Sequence, residues 1–237
     1  GGPITPLAVV LGPTRELVMQ IEVEASKFSR PFGIRCSVVY GGESKWHQIR
    51  NLQRARPKVL VATPGRLNDL CDMKKISIAS AQILILDEAD RMLDMGFEPQ
   101  LDEIQRKMAI QLTGAARPAP SATLHDARAR QTLLFSATWP RSVQQIASRM
   151  LFNPVQLNVG QSGVLVANEN ITQRIVVLDE RDKEDKLREE LGKLPEKNKT
   201  IIFMMTKRTC DRICNALWSE GANCDSLHGD KDQRART

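Results

Sequence analysis

Short apolar runs recur along the chain, and each stops at a polar turn that opens a helical pattern. Leu7–Leu11 runs into Gly12-Pro13-Thr14-Arg15, Ile34–Tyr40 into Gly41-Gly42, and Val59–Ala62 into Thr63-Pro64-Gly65-Arg66. Ile83–Leu86 runs into Asp87-Glu88-Ala89-Asp90, and Leu133–Phe135 into Ser136-Ala137-Thr138. Runs this short, rich in Val, Ile and Leu, read as strands of a parallel sheet buried on both faces. The alternation of strand and helix from Leu7 to about Val159 predicts an α/β domain, residues 1–159, with helices on both faces of the sheet. Glycine, serine and asparagine then mark residues 160–170 as a linker. The alternation restarts in 171–237, with Ile175–Leu178 and Ile201–Phe203 as strands and Lys183–Leu191 and Cys210–Trp218 as helices. Thr113–Ala127, rich in alanine, proline and polar residues, reads as an exposed insertion without a catalytic part.

Ligands of open α/β sheets sit at the carboxyl ends of the strands, where all five polar turns fall. Asp87 and Glu88 in that position suit a hydrated Mg²⁺ and the activation of a water against a phosphate. An acidic first turn stabilised by the helix dipole explains the same residues without chemistry. Thr14 and Thr63 each fit a helix N-cap, and Pro64 fits a first helical turn. With Arg15 and Arg66 following, the two helix starts make plausible phosphate seats, although plain capping accounts for them too. Gly41-Gly42 allows backbone to approach a ligand closely. Ser136 and Thr138 are candidates for a hydroxyl relay beside the acids, or for a simple cap before Pro140.

Together these residues form a set that resembles the DEAD-box ATP-dependent RNA helicases of helicase superfamily 2, over nearly the whole chain. Pro13–Leu17 is similar to motif Ia, Gly41-Gly42 to the glycine doublet, Thr63–Leu67 to motif Ib, Asp87–Asp90 to motif II and Ser136–Thr138 to motif III. Thr200–Phe203 leading into Thr206-Lys207-Arg208 resembles motif IV, and His228-Gly229-Asp230 with Gln233 and Arg236 resembles the Gln-x-x-Arg element. The resemblance implies two RecA-like domains with parallel sheets, both incomplete. It implies ATP and Mg²⁺ as cofactors, with Asp87 holding Mg²⁺ through water and Glu88 polarising the attacking water. Asp90, Ser136 and Thr138 would couple the nucleotide site to domain closure. Pro13, Thr14, Arg15, Gly42, Thr63, Gly65 and Arg66 would grip an RNA backbone without reading its bases, joined by Gln233 and Arg236. Protein cofactors of the helicase are a further implied class of partner.

No Gly-x-x-x-x-Gly-Lys-Ser/Thr loop occurs in the sequence, and the family's adenine-reading glutamine motif and motifs V and VI find no counterpart. The expectation is therefore an interior segment of a longer helicase, unable to hydrolyse ATP alone. It also follows that a strand is missing from inside the first sheet, exposing unpaired edges. An ATP-independent RNA-binding or annealing module, or a protein-interaction scaffold, remains as an alternative function.

The 237 residues are 41% hydrophobic, enough for a packed core. A net charge of +6 permits a phosphate-rich partner, while 4% aromatic content with one tyrosine disfavours base-stacking platforms. Five cysteines without a Cys-x-x-Cys pattern point to a reduced, intracellular setting, and the resemblance to helicases implies nucleus, cytoplasm or both. Cys210 and Cys214 share a helical face, and with His228 they sketch an incomplete zinc site. No run approaches the roughly 18 apolar residues of a membrane span.

Overall fold

A computed structural model describes residues 2–109, 130–159, 171–195 and 198–231, which cluster into two compact units divided at residues 160 and 161. In the first unit, strands β1 (Ala8–Leu11), β2 (Cys36–Val39), β3 (Val59–Ala62), β4 (Ile83–Leu86) and β5 (Gln131–Leu134) form one parallel sheet in the order β2-β3-β1-β4-β5. Helices α1 (Arg15–Ser29), α2 (Lys45–Ala55), α3 (Pro64–Asp72), α4 (Ala89–Asp94), α5 (Glu98–Ala109) and α6 (Arg141–Met150) follow or connect the strands. β4 pairs directly with β5, Ile85 opposite Leu133, and β2 and β5 are the edge strands of the five-stranded sheet.

The strands are aligned end to end. Leu11 pairs with Ala62 on one side and Leu86 on the other, Val39 with Ala62, and Leu134 with Leu86. Alternate residues of each strand face opposite sides. One side, with Leu11, Leu60, Leu84 and Leu86, packs against Ile49, Leu52, Leu67, Leu101, Ile104 and Met108 of α2, α3 and α5. The other side holds a smaller cluster of Val10, Val18 and Val61, with Ile21 of α1 packed beside it. Both faces are thus covered, as expected, although Ile83, on that side of β4, is 36% exposed. α1 packs chiefly over β2 and β3, and Ile85 of β4 packs against the cluster that includes Val18.

In the second unit, α7 (Lys183–Gly192) and α8 (Lys207–Ser219) form as expected from their patterns. Ile175–Leu178 and Ile201–Phe203, read as strands, carry no ladder among the described residues. Ile175, Val177, Ile201 and Phe203 are all exposed. A strand needs a partner for its backbone groups, and apolar β-branched sequence alone does not supply one. The linker at 160–170 and the insertion at 113–127 lie outside the described residues.

Candidate functional site

The shared register brings all five polar turns to one edge of the sheet. β4 delivers Asp87 there, its backbone N–H donating to the Leu11 carbonyl at 2.9 Å. Asp87 Oδ1 accepts the Glu88 N–H at 3.0 Å, and among the described residues Oδ2 makes no hydrogen bond. Glu88 caps α4 in the left-handed region, φ 50° and ψ 53°, where non-glycine residues are strained. Strain of this kind collects at functional positions and persists only where its surroundings enforce it. Here the Asp87 side chain and an Arg91 ion pair at 3.2 Å to Glu88 Oε2 hold it.

Asp90 is fastened to the turn after β5. Its Oδ2 accepts from the Thr138 hydroxyl at 2.7 Å and the Thr138 N–H at 3.0 Å, while its own N–H donates to Ser136 Oγ at 3.2 Å. The Ser136 hydroxyl donates onward to the Thr138 carbonyl at 2.8 Å. Partial burial raises the Asp90 carboxyl pKa, but the hydrogen bonds from Thr138 and Ser136 outweigh it and leave it below the ordinary value. Asp87, Glu88, Asp90, Ser136 and Thr138 therefore lie on two neighbouring strand ends, and three of them share one hydrogen-bond network.

On the other flank, Thr14 caps α1 by accepting the Leu17 N–H at 3.3 Å, and the Arg15 guanidinium lies 4.8 Å from the centre of the Tyr40 ring. Pro13 is buried, with Thr14 and Arg15 half-buried. Gly42 adopts φ +79°, which a side chain disfavours, and a Cβ added at Gly65 would meet nothing within 4 Å. The small residue at 65 is thus not demanded by packing within the chain. Thr63 stands at the N-cap of α3 but makes no capping bond through its side chain, contrary to expectation. Proline at the first helical position offers no N–H, which leaves one donor fewer to cap.

Arg66 also differs from the free phosphate-gripping cation its position suggested. Its side chain is 5% exposed, donating to Gln48 Oε1 at 2.7 Å and to the Glu43 carbonyl at 2.9 Å, with Asp69 at 3.9 Å. Gln48 is the hub of this cluster and was not singled out by sequence. Its Nε2 donates to the Tyr40 carbonyl at 3.1 Å and Glu43 Oε2 at 3.2 Å, clamping the loop that carries Gly41 and Gly42. Burial raises the Glu43 carboxyl, but hydrogen bonds from Gln48 and Tyr40 bring it below its ordinary value. The available signal was a polar residue beside Ile49 and Leu52 on the buried face of α2. Gln233 and Arg236 lie outside the described residues. Cys210, Cys214 and His228 do not assemble a metal site: no cluster of three candidate ligands occurs among the described residues, and His228 Nε2 bonds Asp211 instead, at 2.9 Å.

A single sheet edge carrying an Asp-Glu-Ala-Asp turn is matched at the level of sequence. The profile of the DEAD/DEAH box helicase family covers residues 3–146. This chain belongs to that family. As a DEAD/DEAH box helicase sequence it is 46% identical over 233 residues to ATP-dependent RNA helicase DBP2 of Eremothecium gossypii. It is 45% identical over 233 residues to ATP-dependent RNA helicase DBP2 of Saccharomyces cerevisiae. To DEAD-box ATP-dependent RNA helicase 14 of Arabidopsis thaliana it is 43% identical over 231 residues. Each alignment covers 98% of this DEAD/DEAH box helicase chain but only 34–39% of the relative. The chain thus spans little more than a third of the length of these curated relatives. No helix among its described residues is long and apolar enough to cross a membrane.

Proposed function

We propose that this chain serves in an ATP-dependent RNA helicase, coupling a nucleotide site at β4 and β5 to an RNA backbone track at β1, β2 and β3. The observation that carries this reading is the bonded connection from Asp90 to Ser136 and Thr138, which makes the acid turn and the β5 turn one mechanical unit. Family membership and the relatives' names support it.

The acid turn fits Mg²⁺ by donor chemistry. Asp87 offers a hard carboxylate oxygen not engaged among the described residues, suited to a cation that keeps several waters. Bound there with ATP, the ion would neutralise charge on the phosphates. Glu88, at the strained cap of α4, would polarise the attacking water. Asp90 holds Thr138 and Ser136, so a shift of either turn is felt by the other.

Along the track, Thr14 and Arg15 at the start of α1, Gly42 and Gly65 would present backbone N–H groups and one cation to phosphates, while Thr63, whose N–H donates to the Val39 carbonyl at 3.1 Å, would offer its hydroxyl. Pro13 and Arg66 act from behind by shaping the turns. RNA held this way is recognised by its backbone, with the sequence unread. The setting is intracellular, nucleus or cytoplasm, in keeping with five unpaired cysteines.

Binding of a fluorescent single-stranded RNA to this chain, followed across 50–200 mM salt, tests the track. Arg15→Ala should weaken binding and lower the salt slope by about 0.7. An unchanged slope would remove Arg15 from the track. Because the sequence lacks a phosphate-loop motif, RNA affinity indifferent to ATP would favour the annealing-module alternative for this chain.

A further inference from the structure

α8 carries Cys214 between the buried residues Ile213 and Leu217. The chain turns after the helix, with Gly221 at φ +92° and the Ala222 N–H donating to the Leu217 carbonyl at 3.0 Å, and returns alongside it. That return brings Cys224 back to the helix. The two sulfurs lie 3.9 Å apart, and the Cys224 thiol donates to the Cys214 carbonyl at 3.5 Å. Both residues are half-buried and line an open cavity of about 500 Å³ together with Asn215, Trp218, Asn223 and Asp225. A disulfide holds its sulfurs at about 2.05 Å, so the two sulfurs need to approach by just under 2 Å to join.

The other cysteines lack this arrangement. Cys36 Sγ lies 3.1 Å from the Ser29 hydroxyl, and burial pushes the Cys71 thiol up to about 11. We infer that Cys214 and Cys224 form a dithiol modification site, oxidised to an intramolecular disulfide by small disulfides of the glutathione class. This goes beyond the proposed function and does not depend on it.

The exchange balances in two steps. The Cys224 thiolate attacks one sulfur of the small disulfide, forming a mixed disulfide and releasing one small thiolate. Cys214 then loses its proton and attacks the Cys224 sulfur, releasing the second small thiolate. Two protein thiols have been oxidised, one small disulfide has been reduced to two thiols, and the two protons end on the small thiols. The order follows from the surroundings. Burial, followed by the hydrogen bond with Cys224, raises the Cys214 thiol above its ordinary value, suiting it to the second, intramolecular attack. The bond would pin α8 to the segment 222–228, which already grips Asp211 through Ser226 at 2.7 Å and His228 at 2.9 Å.

The test uses the full chain, reduced, freed of reductant and exposed to glutathione disulfide at pH 8 before free thiols are capped with N-ethylmaleimide. Trypsin cuts after Arg212 and Lys231, so both sulfurs fall on peptide 213–231. The expected product is that peptide lighter by two hydrogens, uncapped, and formed roughly tenfold faster than modification at Cys36, Cys71 or Cys210. Dithiothreitol should restore it. In Cys214→Ser the exchange stops after the first step, so Cys224 should keep a glutathione adduct that the unmodified chain does not accumulate. A peptide capped at both sulfurs, stable glutathione adducts in the unmodified chain, or linkage between molecules would each overturn the assignment.

Discussion

Arg15 and Arg66 follow similar turns and have opposite fates. Arg15 is half-buried over an aromatic ring, while Arg66 is interior and committed to Gln48 and Glu43. Removing a buried guanidinium strands its acceptors, so Arg66→Ala should lower folding stability by about 2–4 kcal/mol in urea titrations. Arg66→Lys should remain destabilised, because an ammonium cannot reproduce the fork that reaches both acceptors. Any loss of RNA affinity in these variants would then reflect a loosened glycine loop. Asp90 gives a pH prediction. Its folded pKa lies below the ordinary carboxylate value, so it contributes stability that is fully present above that value of 3.8 and is lost as pH falls through the folded pKa. Amide exchange at Thr138, measured from pH 6 to pH 3, should accelerate only below about pH 4 relative to core amides of β1. Residue roles of this kind were half legible in the sequence. The identities at the strand ends were plain, whereas Gln48 and the inward turn of Arg66 depend on contacts between helices distant in sequence.

At the scale of elements, strand and helix identities in the first unit followed from short Val- and Ile-rich runs closed by turns, a local signal that the sheet then reinforces. Ile175–Leu178 and Ile201–Phe203 send the same signal and carry no ladder among the described residues, because pairing is a property of two segments and sequence shows only one at a time. The two threonine caps separate in the same way. Thr14→Val should cost about 1 kcal/mol through the lost bond to Leu17, whereas Thr63→Val should stay within about 0.5 kcal/mol. Chemical denaturation of the pair, run side by side, checks the difference.

Across the whole molecule, the units differ in what holds them. The first buries layers of aliphatic side chains on both sides of a sheet. Among described residues of the second, Ile213 and Leu217 are the buried apolar side chains, and exposed ion pairs such as Arg188 with Glu220 and Arg212 with Glu184 supply much of the remainder. Exposed pairs contribute little each, so hydrogen exchange should be fast throughout α7 and α8 and slow in β1, β3 and α3. Uniform protection across both units would contradict this difference in cohesion.

The alignment of strand ends also governs where the protein tolerates changes in length. One residue added within β1 would carry Thr14 and Arg15 roughly 3.3 Å out of line with their neighbours, and one added within β4 would do the same to Asp87 and Glu88. Extra chain entering a strand from the opposite end shifts nothing at this edge. Residues 110–129 join α5 to the start of β5, on that tolerant side. A change in length of that connection enters β5 from the end away from Ser136, so the working edge keeps its spacing.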